Sequence, residues 1–171
     1  ERWIDQGRAG PGLVLIGRRH LRSNNSWMHN LPVLAKGPDR ARLMVHPDDA
    51  ARLGPTGATT GARVRVSSRT GSVDAVLEVT DDIMPGVVSL PHGFGHAAAQ
   101  STLRVAGQLA GASANALTDE LFVEPLIGTS ILNGVPVEVT LAAPLVGSAP
   151  PCSATAELGL AADLGSATIR A

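Results

Sequence analysis

The chain has 171 residues and a mass of 17.5 kDa; 44% of it is hydrophobic, and 14 basic residues face 15 acidic ones for a formal net charge of -1. That length supports one domain with a real core, no run approaches the ~18 apolar residues of a membrane-spanning helix, and so flat a charge balance excludes the basic field of a general nucleic-acid or membrane-surface binder. A single cysteine, Cys152, excludes a disulfide framework or a multi-thiolate metal site built within the chain.

The predicted elements run as follows. Residues 1–12 are polar and glycine-rich and read as a lead-in. Leu13-Val14-Leu15-Ile16 is a short apolar run ending at Gly17, the signature of a buried strand. Residues 18–37 form a long polar loop, of a length that is usually functional or disordered. Arg42-Leu43-Met44-Val45 is the second strand. His46 to Gly54 reads as a helix of about two turns: Pro47 suits the first position, Asp48 and Asp49 complement the dipole, and Gly54 stops it. Val64 and Val66 alternate with Arg63 and Arg65, and Val73, Ala75, Leu77 and Val79 alternate after the turn at Arg69-Thr70-Gly71, which together make a hairpin. A fifth strand covers Val87 to Leu90. Residues 94–119 read as irregular, with one helical stretch. Val135, Val137, Val139 and Leu141 alternate in a sixth strand, in which Pro136 demands an edge or a strand start. The expected organisation is a barrel over 13–142 and a flexible tail over 143–171, which lacks a periodic apolar pattern.

Aromatic residues are limited to Trp3, Trp27, Phe94 and Phe122. A core of Val, Leu, Ile and Ala suits the narrow interior of a small β-barrel, and so few rings leave no stacking platform for single-stranded nucleic acid.

Several segments carry chemistry. Gly93-Phe94-Gly95-His96-Ala97-Ala98 has the outline of a dinucleotide fingerprint, but no acidic residue follows about 20 positions on and no βαβ units recur, which disfavours a Rossmann site. It reads as a glycine loop, either plain or shaped so that backbone can approach a ligand. His92 and His96 stand four apart, yet Gly93 and Gly95 argue against the helix that would make them zinc partners. Gly111-Ala112-Ser113-Ala114-Asn115 misses the second glycine of a nucleophile elbow. Asn24-Asn25-Ser26 matches a glycosylation acceptor without a secretory context. The richest segment is Gly17-Arg18-Arg19-His20-Leu21-Arg22-Ser23-Asn24-Asn25-Ser26-Trp27-Met28-His29-Asn30. Its arginines match phosphate geometry and its short polar side chains suit a heterocycle; a solvated turn explains the same residues.

This segment, followed in order by Val45 to Gly54, Val64 to Val73, Val79 to Gly93 and Gly111 to Asp119, resembles the C-terminal domain of the molybdopterin oxidoreductases, the superfamily of dimethyl-sulfoxide reductase, formate dehydrogenases and nitrate reductases. The likeness spans roughly residues 13–141. It implies a mainly β fold, a double-psi β-barrel with short helices, and binding of molybdopterin guanine dinucleotide, with molybdenum or tungsten held by the parent protein. Position within the family places Gly17, Arg18, Arg22, Ser23, Asn24, Asn25 and Ser26 against phosphates and pterin. Loops at His92-Gly93 and from Asn115 to Thr118 are placed near a pterin, and Asp49 against guanine, although capping explains Asp49 equally well.

The large metal-binding domains and an iron–sulfur motif are missing from this sequence, and Cys152 lies beyond the matched region. The resemblance therefore implies a cofactor-binding domain with no catalytic or metal-ligating residue of its own, whose partners are the remaining domains of a parent oxidoreductase. The alternative is a free-standing small barrel acting as a subunit or interaction module without a redox role. The chain begins Glu1-Arg2-Trp3, with neither a methionine nor a signal peptide's apolar run, and reads as an excised or processed piece. A cytoplasmic location, no nucleic-acid or membrane contact, and a monomeric isolated domain are expected.

Overall fold

The computed structural model describes residues 12–96, 102–109 and 111–142. Of the expected lead-in over 1–12 only Gly12 is among them, and the expected tail over 143–171 lies outside them. Six strands form a closed barrel: β1 (Leu13–Arg18), β2 (Arg42–Val45), β3 (Arg63–Ser67), β4 (Ser72–Val79), β5 (Val87–Pro91) and β6 (Val135–Leu141), in the cyclic order β1-β5-β2-β4-β3-β6. Two pairs are parallel, β1 with β5 and β2 with β4; the other four are antiparallel.

This ring is unchanged when β1, β2 and β3 are exchanged with β4, β5 and β6. Each parallel pair maps onto the other, and each antiparallel pair maps onto an antiparallel pair. The β1–β2 and β4–β5 connections each straddle one strand, β5 and β2 respectively. These two interlocked crossovers are the double-psi arrangement expected from the sequence.

Period-two patterning decides what faces inward. Leu15, Leu43, Val64, Val66, Leu77 and Val88 are essentially inaccessible, and Val135, Val137 and Val139 complete the wall. The interior is narrow and aliphatic, as the scarcity of rings requires. Pro136 is the second residue of β6 and exposed, where its missing N–H costs no inward contact.

The two faces of the barrel differ. Because β1 and β5 are parallel, with Arg18 opposite Pro91, the β1–β2 and β5–β6 connections leave side by side. The β3–β4 turn at Ser68–Gly71 belongs to the same end, and Leu117 plugs it. The opposite end holds the β4–β5 turn and the helix after β2. That helix, α2, is shorter than expected: Pro47–Ala50 is one turn, capped by the His46 side chain accepting from the Asp48 N–H, and the chain then winds through turns to Gly54 at φ +73°. A second one-turn helix, α1 (Pro32–Ala35), interrupts the long polar loop that the sequence left unbroken. Among the described residues of the irregular stretch stand two 3₁₀ turns, Ala106–Gln108 and Ala114–Leu117.

Candidate functional site

Three segments meet at the long-loop end. The first, residues 20–30, is a succession of tight turns held by backbone bonds such as Ser23 N–H to the His20 carbonyl and Met28 N–H to the Ser23 carbonyl. Asn24 and Asn25 sit at φ 42° and 62°, a left-handed conformation that Asn tolerates better than other side-chain-bearing residues. The second segment, His92–His96, packs directly on the first. Gly93, at φ +84°, lies so close to the Asn25 carbonyl and the Ser26 N–H that any Cβ would collide with backbone. His92 lies across Gly17, where a side chain on β1 would occupy the imidazole's place. The third segment joins because Gly95 abuts Ser113, which brings the 3₁₀ turn with Asn115 alongside. Asn30 ties the arrangement together, its Oδ1 accepting from the N–H groups of Val105 and Ala106 at 2.9 and 3.2 Å.

Within the described residues, the side chains of Asn24, Asn25, Ser26, His92 and Asn115 make no hydrogen bond, so their donors and acceptors stand open. The rim therefore presents amides, a hydroxyl and an imidazole around close-packed glycine backbone. That donor set fits a flat heterocycle with several amide-like edges. Thr118 belongs to the third segment, but its hydroxyl is turned onto the Asn115 carbonyl at 2.8 Å and its own carbonyl accepts from Thr70.

Other residues assigned from the sequence are engaged within the fold. The guanidinium of Arg18 is committed to scaffold. The β2–β5 ladder covers only Met44 with Ser89 and Val45 with Val88. Beyond its end Arg18 donates to the carbonyls of Ser89 and Arg42, each at 2.6 Å, and of Arg40 at 3.4 Å. Gly17 donates its N–H to Asn133 Oδ1 at 2.7 Å and acts by letting His92 approach. Arg22 donates to the Val33 and Leu34 carbonyls and so satisfies the end of α1. Ser23 is buried, its hydroxyl on the His20 carbonyl. Asp49 stands at the opposite end of the barrel. It is 2% exposed; one oxygen accepts from the Gly86 N–H at 2.7 Å and the other pairs with Arg52, so it joins α2 to the β4–β5 turn. No common groove holds Asp49 and the rim.

Nothing in the sequence singles out His29, which is 4% exposed, lies tilted against Phe94 at 4.5 Å between ring centres and meets His96 edge-on at 5.4 Å. Neither ring nitrogen has a well-formed hydrogen bond, and His96 Nε2 is likewise buried without one. Burial, and then the neighbouring His96, lower the His29 pKa against a smaller opposing influence from the Gly93 backbone. The folded state thus binds this proton less readily than the unfolded chain. Stability is retained above about pH 6.5, the unfolded value, and falls as pH drops from there through the lowered pKa. Thermal melting at pH 7.5 and pH 5 checks this: the acid decrease is expected to shrink in His29→Gln, and an undiminished decrease contradicts it.

The sequence matches the family described as "Molydopterin dinucleotide binding domain" over residues 13–136. No curated protein matches it. Among solved structures of similar fold is "Acetylene Hydratase from Pelobacter acetylenicus", with a TM-score of 0.56 and 20% identity, covering 81% of this chain and 19% of that one. The chain spans about a fifth of that protein's length, and at this identity the likeness establishes the fold.

Proposed function

The chain belongs to the molydopterin dinucleotide binding domain family, and from that premise we propose that its rim is the cofactor-facing wall of a larger molybdenum- or tungsten-dependent oxidoreductase. In this reading Asn24, Asn25 and Ser26 hold the pterin together with His92, the Gly93 backbone and Asn115. The bound cofactor brings the metal centre and its redox chemistry with it. The domain's own contribution is to orient the heterocycle and exclude water from one side of it.

The observation that carries the reading is the seating of Gly93 on Asn25 and Ser26. It joins two loops 67 positions apart into one surface whose polar side chains are left without internal partners. The finer assignment, a parent of the formate-dehydrogenase and nitrate-reductase kind, rests on the order of the sequence motifs alone.

Titration of the 171-residue chain with molybdopterin guanine dinucleotide, followed by amide chemical shifts, tests the proposal. Affinity is expected to be weak, because one wall must order its loops without the facing domains. Shifts are expected at 24–26, 92–93 and 115 and none around Asp49. Shifts confined to the α2 end, or none at saturating cofactor, overturn it.

A further inference from the structure

A pair of histidines closes the seam between the first two segments of the rim. His29 comes from the first segment and His96 from the second, with Phe94 of the second against the His29 ring. His29 is also fastened to the rim itself. Its backbone N–H donates to the Ser26 carbonyl at 3.1 Å, and Ser26 is one of the two residues on which Gly93 is seated. No residue of 20–34 or 92–96 belongs to the aliphatic cluster that fills the barrel. These loops can therefore part while the strands keep their core, which makes their opening cheaper than unfolding of the whole domain.

A neutral imidazole fits this seam and an imidazolium does not. Once protonated, both His29 nitrogens are donors, and no group of the described residues accepts from either of them or from His96 Nε2. The charges around the ring have the wrong sign as well. The second segment brings His96, with His92 beyond it over Gly17. The first loop and the strands beneath it bring His20, Arg22, Arg40, Arg42 and Arg63, which line the same cavity as His29. Asp39 is the one carboxylate on that cavity, and its Oδ1 already accepts from the Ala41 N–H at 2.9 Å. The Gly93 backbone favours a proton on His29, but burial and His96 outweigh it. The same positive surroundings act at His20, whose pKa is lowered by burial and then by Arg40, Arg18 and Arg22.

We propose that His29 and His96 are an acid-operated latch on the rim: while both are neutral the 20–30 and 92–96 loops stay seated, and a proton taken up by the pair parts the loops, so that a ligand held at the rim leaves faster. The rings meet edge-on, so the proton belongs to the pair rather than to one ring. The sign follows from burial. In the parted loops the imidazole titrates near its ordinary value of about 6.5, and in the seated loops it resists protonation. Each fall in pH below that value therefore favours the parted form. The parting of the loops stands alone; the release of a ligand rests on the reading of the rim as a cofactor-facing wall.

Amide hydrogen exchange of the 171-residue chain at pH 7.5 and pH 5, expressed as protection relative to the intrinsic rate at each pH, provides the test. Protection over 22–30 and 92–96 is expected to fall about tenfold in acid while β3 and β4 keep theirs. The midpoint of that fall is expected to coincide with titration of the His29 and His96 ring protons. The acid response is expected to vanish in His29→Phe, which keeps a ring against Phe94 and gains no proton, and in His29→Gln. No fall in the parent, a fall of equal size in β3 and β4, a midpoint more than about one pH unit from both histidines, or an undiminished response in either variant overturns the latch. Where a variant has already lost protection at pH 7.5, the ring-proton midpoint of the parent decides. Release of molybdopterin guanine dinucleotide on dilution is expected to be about tenfold faster at pH 5 than at pH 7.5 in the parent and equal at the two in His29→Phe. Equal release in the parent overturns the latch. A dinucleotide that binds at neither pH, with the loops parting as expected, supports the latch and overturns the reading of the rim, so the two fail separately.

Discussion

Replacing Arg18 by Met is expected to lower stability by about 3–5 kcal/mol, which for a domain of this size is a fall of roughly 10–20 °C in melting temperature. The methylene stem survives in this variant, so the loss isolates the guanidinium. Its two short bonds bind β5 to β2 where their own ladder has ended after two residue pairs. A charge-assisted bond contributes about 1.5–3 kcal/mol net, and the abandoned carbonyls must then find water in a partly closed crevice. Burial lowers the Arg18 pKa, and Glu78 partly opposes this. Arg18→Lys is expected to recover less than half of the loss, because an ammonium lacks the planar fork that reaches both strands at once. Melting of Arg18→Met within about 2 °C of the parent would refute the scaffold role and return the residue to the phosphate-facing role that its position in sequence suggested.

Gly93→Ala is expected to cost about 2–4 kcal/mol locally and to separate the first two segments of the rim. Two effects add. Ala at φ +84° is strained, and its methyl would overlap the Asn25 carbonyl and the Ser26 N–H, backbone atoms that cannot swing aside. Because the clash lies outside the aliphatic core, the strands should keep their protection. Amide hydrogen exchange should accelerate across 22–30 and 92–96 while β3 and β4 remain unchanged. Dinucleotide affinity should fall at least about tenfold, equivalent to ~1.4 kcal/mol. Preserved exchange protection at 22–30 would show that the loops do not depend on this contact.

The strands were legible because period-two alternation is local information. Val64, Val66, Val135, Val137 and Val139 each announce their face without reference to a distant residue. The turn at Asn24 and Asn25 was readable too, since consecutive short polar residues suit left-handed turns. Arg18 was opaque for the opposite reason. Its use depends on carbonyls 24 and 71 positions away, which become neighbours only after the barrel closes. Asp49 carried one local signal, its place at a helix start, and that does not report that the Gly86 N–H would need an acceptor. His29 lies in a polar run that reads as solvated, and its burial follows from Phe94 and His96 folding over it.

The order of strands around the ring also governs how the chain can acquire its shape during synthesis. Only β3 and β4 are neighbours both in sequence and in the ring, so their hairpin is the one pairing available early. The first of the described strands, β1, has β5 and β6 as its neighbours in the ring, and Val14 must wait for Pro136, 122 residues later. At cellular elongation rates that is a delay of roughly 6–24 s. Until β5 is made Leu13-Val14-Leu15-Ile16 is an apolar strand with two unpaired edges, and until β6 follows it keeps one edge open. Closure of the ring therefore waits for the last of these six strands, and the span between first and last strand is the interval in which a chaperone has something to hold.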